Sequence, residues 1–301
     1  MEQWKRLVLL IVVLLSISCD KQDEPVYQPT FSKESSAPSM EFIVGIHPLH
    51  NPQKLFEVYG PIVDLLNAKI PNAHFHLEAS RNYEEFDKKL YSGYFDFAMP
   101  NPYQTVRSMK AGYAVFGKMG DDADFRGIIL VRKDAGIRSV ADLKGKKVSY
   151  PAITALAATM MPQYYLHTHG LDVNRDIENV YVGSQESSIM NVYLGQVSAG
   201  ATWPVPWKAF VKEHPDKASL LEVKWQTEAL LNNAWVVRKD VPPEMTQKVA
   251  VALFELNTSA EGRNMLERLP ISRFEKANNA TYKPVEDYLE RFSKVVRPIE
   301  R

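Results

Sequence analysis

The feature that most constrains this chain is a switch of hydrophobic period that recurs from residue 41 onward. Phe42–Ile46 is a short apolar run of the kind buried in a sheet. Past a loop carrying Pro48, His50, Asn51 and Pro52, the residues Leu55, Tyr59, Ile62, Val63, Leu65 and Leu66 recur at helical spacing. His74–Glu78 then alternates like a strand, Tyr83–Leu90 returns to helical spacing, and Phe95–Met99 is apolar again before Pro100. The same rhythm continues. Strands are predicted at 128–132, 180–182, 199–203 and 234–237, and 140–149 reads as a short helix, a Gly turn and a further strand. Helices are predicted at 154–169, 186–194 and 282–295, and between 242 and 269 with a break near Thr258-Ser259. Strands that alternate with helices call for an α/β fold built on mainly parallel sheets flanked by helices.

Two of the strands share a trailer. Ile128–Arg132 runs into Lys133-Asp134, and Ala234–Val237 runs into Arg238-Lys239-Asp240. Similar strands bracketing a block of about 100 residues suggest two crossings between two lobes. The expected division is lobe one at 41–128 plus 238–301 and lobe two at 129–237, with a ligand cleft between them where strand C-termini meet helix N-termini. No internal sequence repeat is visible.

Ahead of the folded region, residues 1–19 read MEQWKRLVLLIVVLLSISC. Lys5 and Arg6 precede the apolar run Leu7–Leu15, which is too short to span a bilayer, and small residues lead to the single Cys of the chain. This layout resembles a bacterial lipoprotein signal, with Ser16 where such signals usually carry Leu. Cleavage would remove 1–18 and leave Cys19 to carry a lipid. An uncleaved anchor with a buried Cys is the alternative. Residues 19–40, rich in Pro, Ser and charge, read as a flexible tether. One Cys excludes an intramolecular disulfide and a Cys-rich metal site. The chain carries 36 basic and 36 acidic side chains, and losing Glu2, Lys5 and Arg6 would leave 34 and 35, a net charge of −1. Nucleic-acid binding, which draws on a basic surplus, is not expected.

Candidate ligand contacts sit where strands end. His47 follows the first strand, and Asn101 and Tyr103 follow the third. Tyr150 closes the strand near 148, just before Thr154. In Gly183-Ser184-Gln185-Glu186-Ser187-Ser188 a strand end meets a helix start, so Gln185 and Ser187 would either cap the helix or reach a ligand. Glu186 there would repel an anion and attract an amine. Thr202-Trp203-Pro204-Val205-Pro206-Trp207 makes a stiff wall whose indoles can stack on a ring or a cation, or pack between the lobes. His74 and His76 fall on one face of a strand, toward solvent, and no metal or other cofactor is expected. No Gly-x-Ser-x-Gly elbow or phosphate-binding Walker loop occurs, and the lone Cys belongs to the anchor, so no enzyme is expected.

Several segments together resemble a known family. They are Gly93-Tyr94-Phe95-Asp96-Phe97-Ala98 with Asn101-Pro102-Tyr103; Asp142-Leu143-Lys144-Gly145-Lys146-Lys147-Val148; the helix opening before Pro162; Gly195–Ala201; and Glu261-Gly262-Arg263-Asn264-Met265-Leu266. Their order over about residues 41–295 is similar to that of substrate-binding proteins of phosphate, phosphite and phosphonate ABC transporters, in the type 2 periplasmic-binding-protein fold. The resemblance implies a monomeric extracytoplasmic protein that closes two lobes on a small oxyanion and serves an ABC permease and ATPase. The family holds its anion on a Ser-Thr-Ser turn at a helix start. The matching positions here are Ala155-Leu156-Ala157, which leaves backbone N–H groups and the nearby Thr154, and Gln185 replaces a family His. Arg81 and Arg126 are the nearest candidate cations. The missing hydroxyls and the indole wall keep an aromatic or amine ligand open as an alternative. A sensor that reports to a membrane histidine kinase is a third reading.

Overall fold

A computed structural model describes residues 39–299; the expected signal, Cys19 and all but the last two tether residues lie outside the described residues. Among the described residues the strands form two mixed sheets, and the chain passes from the first to the second and back. The first begins with β1 (Met40–Ile46), β2 (Ala73–Ala79) and β3 (Phe97–Met99), all parallel, with α1 (Pro52–Lys69) and α2 (Tyr83–Tyr91) as crossovers. Then α3 (Pro102–Lys110) leads to β4 (Tyr113–Met119). The chain crosses over and adds β5 (Ile128–Arg132), β6 (Lys147–Tyr150), α4 (Met161–Thr168), β7 (Glu178–Tyr181), α5 (Gln185–Tyr193), β8 (Ala199–Thr202), α6 (Pro204–Glu213), α7 (Pro215–Ala218) and β9 (Leu221–Gln226). It returns with β10 (Ala234–Arg238), α8 (Pro243–Phe254), α9 (Ala260–Arg268), β11 (Phe274–Lys276) and α10 (Lys283–Val295).

The sheet orders are β11-β4-β10-β3-β1-β2 and β7-β6-β8-β5-β9. Each sheet is mixed rather than mainly parallel. A returning strand, β10 in one and β5 in the other, enters beside β3 or β8 and runs antiparallel to it. The expected lobe boundaries shift accordingly. Residue 128 pairs in the second sheet, and the strand 234–238 pairs in the first, with β3 and β4. Apolar content alone cannot say which of two sheets a strand joins. The region after 100 also holds α3 and β4, whose polar-interrupted patterns went unread.

Local sequence accounts for the elements. Asn51 accepts the Lys54 amide at 3.0 Å and Pro52 follows at the first helical position, so α1 starts there. Its buried stripe is Leu55, Val58, Tyr59, Ile62, Val63 and Leu66. That stripe packs on the inner rings of lobe one, where Phe42 lies 5.4 Å from Phe75 and 5.7 Å from Phe97. Gly45 is required on β1, because a Cβ there would sit 2.6 Å from the Phe95 ring. The predicted break in the long helix falls where Ser259 accepts the Gly262 amide and starts α9.

Candidate functional site

The parallel strands of both lobes end facing one another, and the loops beyond them line a narrow cleft with room for only about 10 Å³ of water-accessible space. From lobe one come His47 after β1, Tyr83 after β2 and Asn101 after β3. From lobe two come Ala155–Ala158 after β6, Gln185 after β7 and Trp203 after β8. Phe125 and Asn233, from the two crossing segments, complete the lining, and all of these residues are buried.

The turn at 155–158 is unusual backbone. Thr159 and Met160 both donate to the Ala155 carbonyl, and Met161 reaches back to that of Leu156, so Leu156–Met160 form a wide π-type turn ahead of α4. Pro162 has no N–H to continue a tighter ladder. Being the first residues of a helix, Leu156, Ala157 and Ala158 have no intrahelical acceptor for their amides. Those residues line the cavity, where helix-start amides favour negative charge. Gly127 lets the crossing segment pass: a Cβ there would lie 2.6 Å from the Ala157 oxygen and 2.7 Å from Pro162.

Asn101 joins the lobes. Its Oδ1 accepts the Gln104 amide at 3.1 Å to cap α3, while its Nδ2 donates to the Thr154 carbonyl at 3.1 Å. Gln185 is oriented by Thr202, whose hydroxyl donates to Oε1 at 2.8 Å, and its Nε2 lies 3.5 Å from the Tyr83 hydroxyl. Burial holds that hydroxyl protonated. His47 donates from Nδ1 to the Met99 carbonyl at 2.8 Å, which fixes the tautomer. Burial brings its pKa down to about 4, against the opposing pull of that carbonyl and with help from nearby His50, so the ring is neutral. His50 lies 2.9 Å from Glu186 across the lobes, so Glu186 is turned to His50 and not to the cavity. Trp203 packs on Phe125 at 5.5 Å between ring centres.

Of the sequence-predicted residues, His47, Asn101, Ala155, Gln185 and Trp203 are brought together here. Thr202 and Thr154 stand behind them, as the partners of Gln185 and Asn101. Three lie elsewhere. Tyr103 accepts from Arg107 at 2.9 Å in a groove against α10, because a residue two past the cap already turns with the helix. Tyr150 is buried against Tyr181, and Ser187 is held by the α5 cap Ser184. The candidate cations are absent too. Arg81 is exposed beside Glu85, and Arg126 donates to the Ala123 carbonyl at 2.7 Å. Tyr83, Phe125, Ala158 and Asn233 were not foreseen. Position just before or after a crossing strand is the signal that would have found Phe125 and Asn233.

Away from the cavity, Glu41, His74 and His76 offer atoms within 4.8 Å of one another on the exposed face of β1 and β2. They could ligate a metal, but His76 already bonds Glu41 at 2.5 Å.

Fold and cavity define a two-lobed α/β solute-binding protein. Residues 44–282 match the family of periplasmic substrate-binding proteins of phosphonate ABC transporters, and the chain belongs to that family. The probable ABC transporter phosphite-binding protein PhnD1 of Prochlorococcus marinus (strain MIT 9301) is 23% identical over 187 residues. That match spans 58% of this chain and 63% of the relative's length. The crystal structure of PhnD1 from that organism in complex with methylphosphonate superposes with a TM-score of 0.78 at 20% identity, covering 86% of this chain and 100% of that one. A binding component of a phosphonate ABC transporter from Pseudomonas aeruginosa gives 0.79 at 16% identity, covering 85% and 88%. No described helix is long and apolar enough to cross a membrane.

Proposed function

We propose that this protein is the extracytoplasmic binding component of an ABC uptake system for a small oxyanion of the phosphonate, phosphite or phosphate type. The observation that carries the reading is the cleft lined by Leu156, Ala157 and Ala158, the opening residues of a helix whose first amides have no intrahelical acceptor, with Gln185 beside them. A helix start offers an anion converging N–H groups without a counter-cation. The relatives named for phosphite and methylphosphonate support the same ligand class. The ligand would bridge the loops of both lobes, and the closed form would dock on a permease driven by its ATPase. Cys19 would carry the lipid that tethers the protein to the membrane, and the protein would act as a monomer without turning its ligand over.

Calorimetric titration with phosphite, phosphate and methylphosphonate tests the reading. Saturable binding of at least one is expected, and no heat or thermal shift with any of them would end it. A second reading, an aromatic or amine solute, draws on one observation: among the described residues no Lys or Arg lines the cavity, while Trp203 and Phe125 do. Binding of heterocycles or amines with no response to oxyanions, lost in Trp203→Ala, would favour it. Mass spectrometry of the membrane-extracted protein would detect diacylglyceryl at Cys19 if the anchor forms.

A further inference from the structure

We infer that the cavity selects a protonated oxyanion, one bearing both an ionised oxygen and an O–H, because the two lobes supply opposite halves of a hydrogen-bonding pattern. This rests on the oxyanion reading above and narrows it.

Lobe two supplies donors. The amides of Leu156, Ala157 and Ala158 open the helix at the cavity. Gln185 uses its Oε1 on the Thr202 hydroxyl, and its NH₂ end, one N–H of which reaches the Tyr83 hydroxyl at 3.5 Å, has a second N–H for the cavity side. Lobe one and the returning crossing segment supply acceptors. His47 spends its Nδ1–H on the Met99 carbonyl, so the ring's remaining polar atom, Nε2, is a lone pair. Asn233, 1% exposed, directs its NH₂ at the Met119 sulfur, 3.3 Å away, and its Oδ1 is buried without a hydrogen-bond partner among the described residues. The ionisable neighbours do not change this pattern. His50 is engaged by Glu186, and Tyr83 accepts from Gln185 and keeps an O–H to donate, so among the described residues the acceptors without a donor on this side are His47 Nε2 and Asn233 Oδ1.

An oxyanion with every oxygen ionised would meet His47 and Asn233 acceptor to acceptor. One that keeps an O–H donates it to this side and gives its ionised oxygens to the helix amides, so both lobes are satisfied at once. Only a ligand that bonds both lobes favours their approach. A sulfonate of the same shape and single charge has no O–H to give. It leaves buried acceptors unpaired, the circumstance in which binding sites discriminate most strongly.

The test is to titrate the purified protein with methylphosphonate and with methanesulfonate at one pH near neutrality. Methylphosphonate is expected to bind at least ~10-fold more tightly. A smaller ratio would overturn the O–H requirement while leaving the oxyanion reading standing. If neither probe binds, the O–H requirement falls, and the oxyanion reading falls with it only when phosphite and phosphate also give no heat. In Asn233→Leu, which removes one acceptor, the ratio is expected to shrink by about 5-fold or more. An unchanged ratio in Asn233→Leu and in His47→Phe alike would also overturn the assignment. The comparison in the unaltered protein stands whether or not either variant folds.

Discussion

The two lobes share a strand order that their sequences do not advertise. Five strands of the first sheet run β2-β1-β3-β10-β4, and the second runs β7-β6-β8-β5-β9. In each, the returning strand ends in an Arg followed two residues later by an Asp that accepts from it, at 2.9 Å for Arg132 and Asp134 and 2.6 Å for Arg238 and Asp240. Each Arg also donates to the turn that precedes the neighbouring parallel strand, Arg132 to the Tyr193 carbonyl and Arg238 to that of Gly93. The lobes then diverge. Lobe one packs large rings behind its sheet, whereas β8 is Ala199-Gly200-Ala201-Thr202. At the cavity lobe one presents an imidazole, a phenol and an amide, whereas lobe two presents backbone together with Gln185 and Trp203. Equal topology therefore sets where site residues come from, and local sequence sets what they offer.

The largest expected contrast lies in the strand glycines. A Cβ on Gly200 would come within 2.4 Å of Val192, 2.6 Å of the Ser149 hydroxyl and 2.8 Å of the Ser188 carbonyl, which is backbone and cannot rotate away. For a Cβ on Gly45 the three nearest atoms all belong to the Phe95 ring, at 2.6 Å. Gly200→Val should lower unfolding free energy by about 3 kcal/mol or more, and Gly45→Val by less, in denaturant titration. Equal losses would mean that the lobes tolerate crowding alike.

The next effect separates the two sides of the cavity by pH. His47 has a folded pKa of about 4 against 6.5 when unfolded, so the unfolded chain binds more protons between those values. His47 therefore removes stability as pH falls from about 6.5 to 4, by up to about 3 kcal/mol. Asp87, raised to about 6 by burial, acts in the opposite sense over much of the same range. Comparison with His47→Asn isolates the first contribution, and the variant should lose less stability on acidification than the parent. A parallel pH profile would show that the ring is not held neutral.

The paired arginines come third. Arg238 also holds Asp96 at 2.7 Å, and Asp96 is largely buried and accepts the Ile43 amide. Among the described residues Arg132 has no such second carboxylate; Ser198 stands at the corresponding turn. Arg238→Ala should cost about 2 kcal/mol by leaving Asp96 underpaired, and Arg132→Ala distinctly less. The smallest effect tests equivalence. Asn82 caps α2 by accepting the Glu85 amide at 2.9 Å, and Ser184 caps α5 through the Ser187 amide at 3.1 Å. Alanine at either should cost ~1 kcal/mol.

Much of this was legible in the residues. The run Phe42–Ile46, the stripe from Leu55 to Leu66 and the paired Arg-Lys-Asp trailers announced an α/β chain with two crossings, since burial imposes its period on the sequence. His47, Asn101, Gln185 and Trp203 were legible as residues that would line one cleft, because a parallel strand's C-terminal end is where such folds place theirs. Tyr103 and Tyr150 were misplaced for one reason: a residue's position in the chain says it lies near a cleft, whereas its side-chain direction depends on the helix or strand it has joined.

By itself the sequence determined the alternation of elements, the caps that start them, and the absence of hydroxyls at Ala155-Leu156-Ala157. Tertiary structure alone decided that β10 returns to the first sheet, and that the Ala155–Ala158 turn, His47 and Asn233 line one cleft. Periodicity and capping are local, and the sequence carries them directly. A shared lining arises only when segments far apart in the chain are packed together, and no local pattern records that meeting.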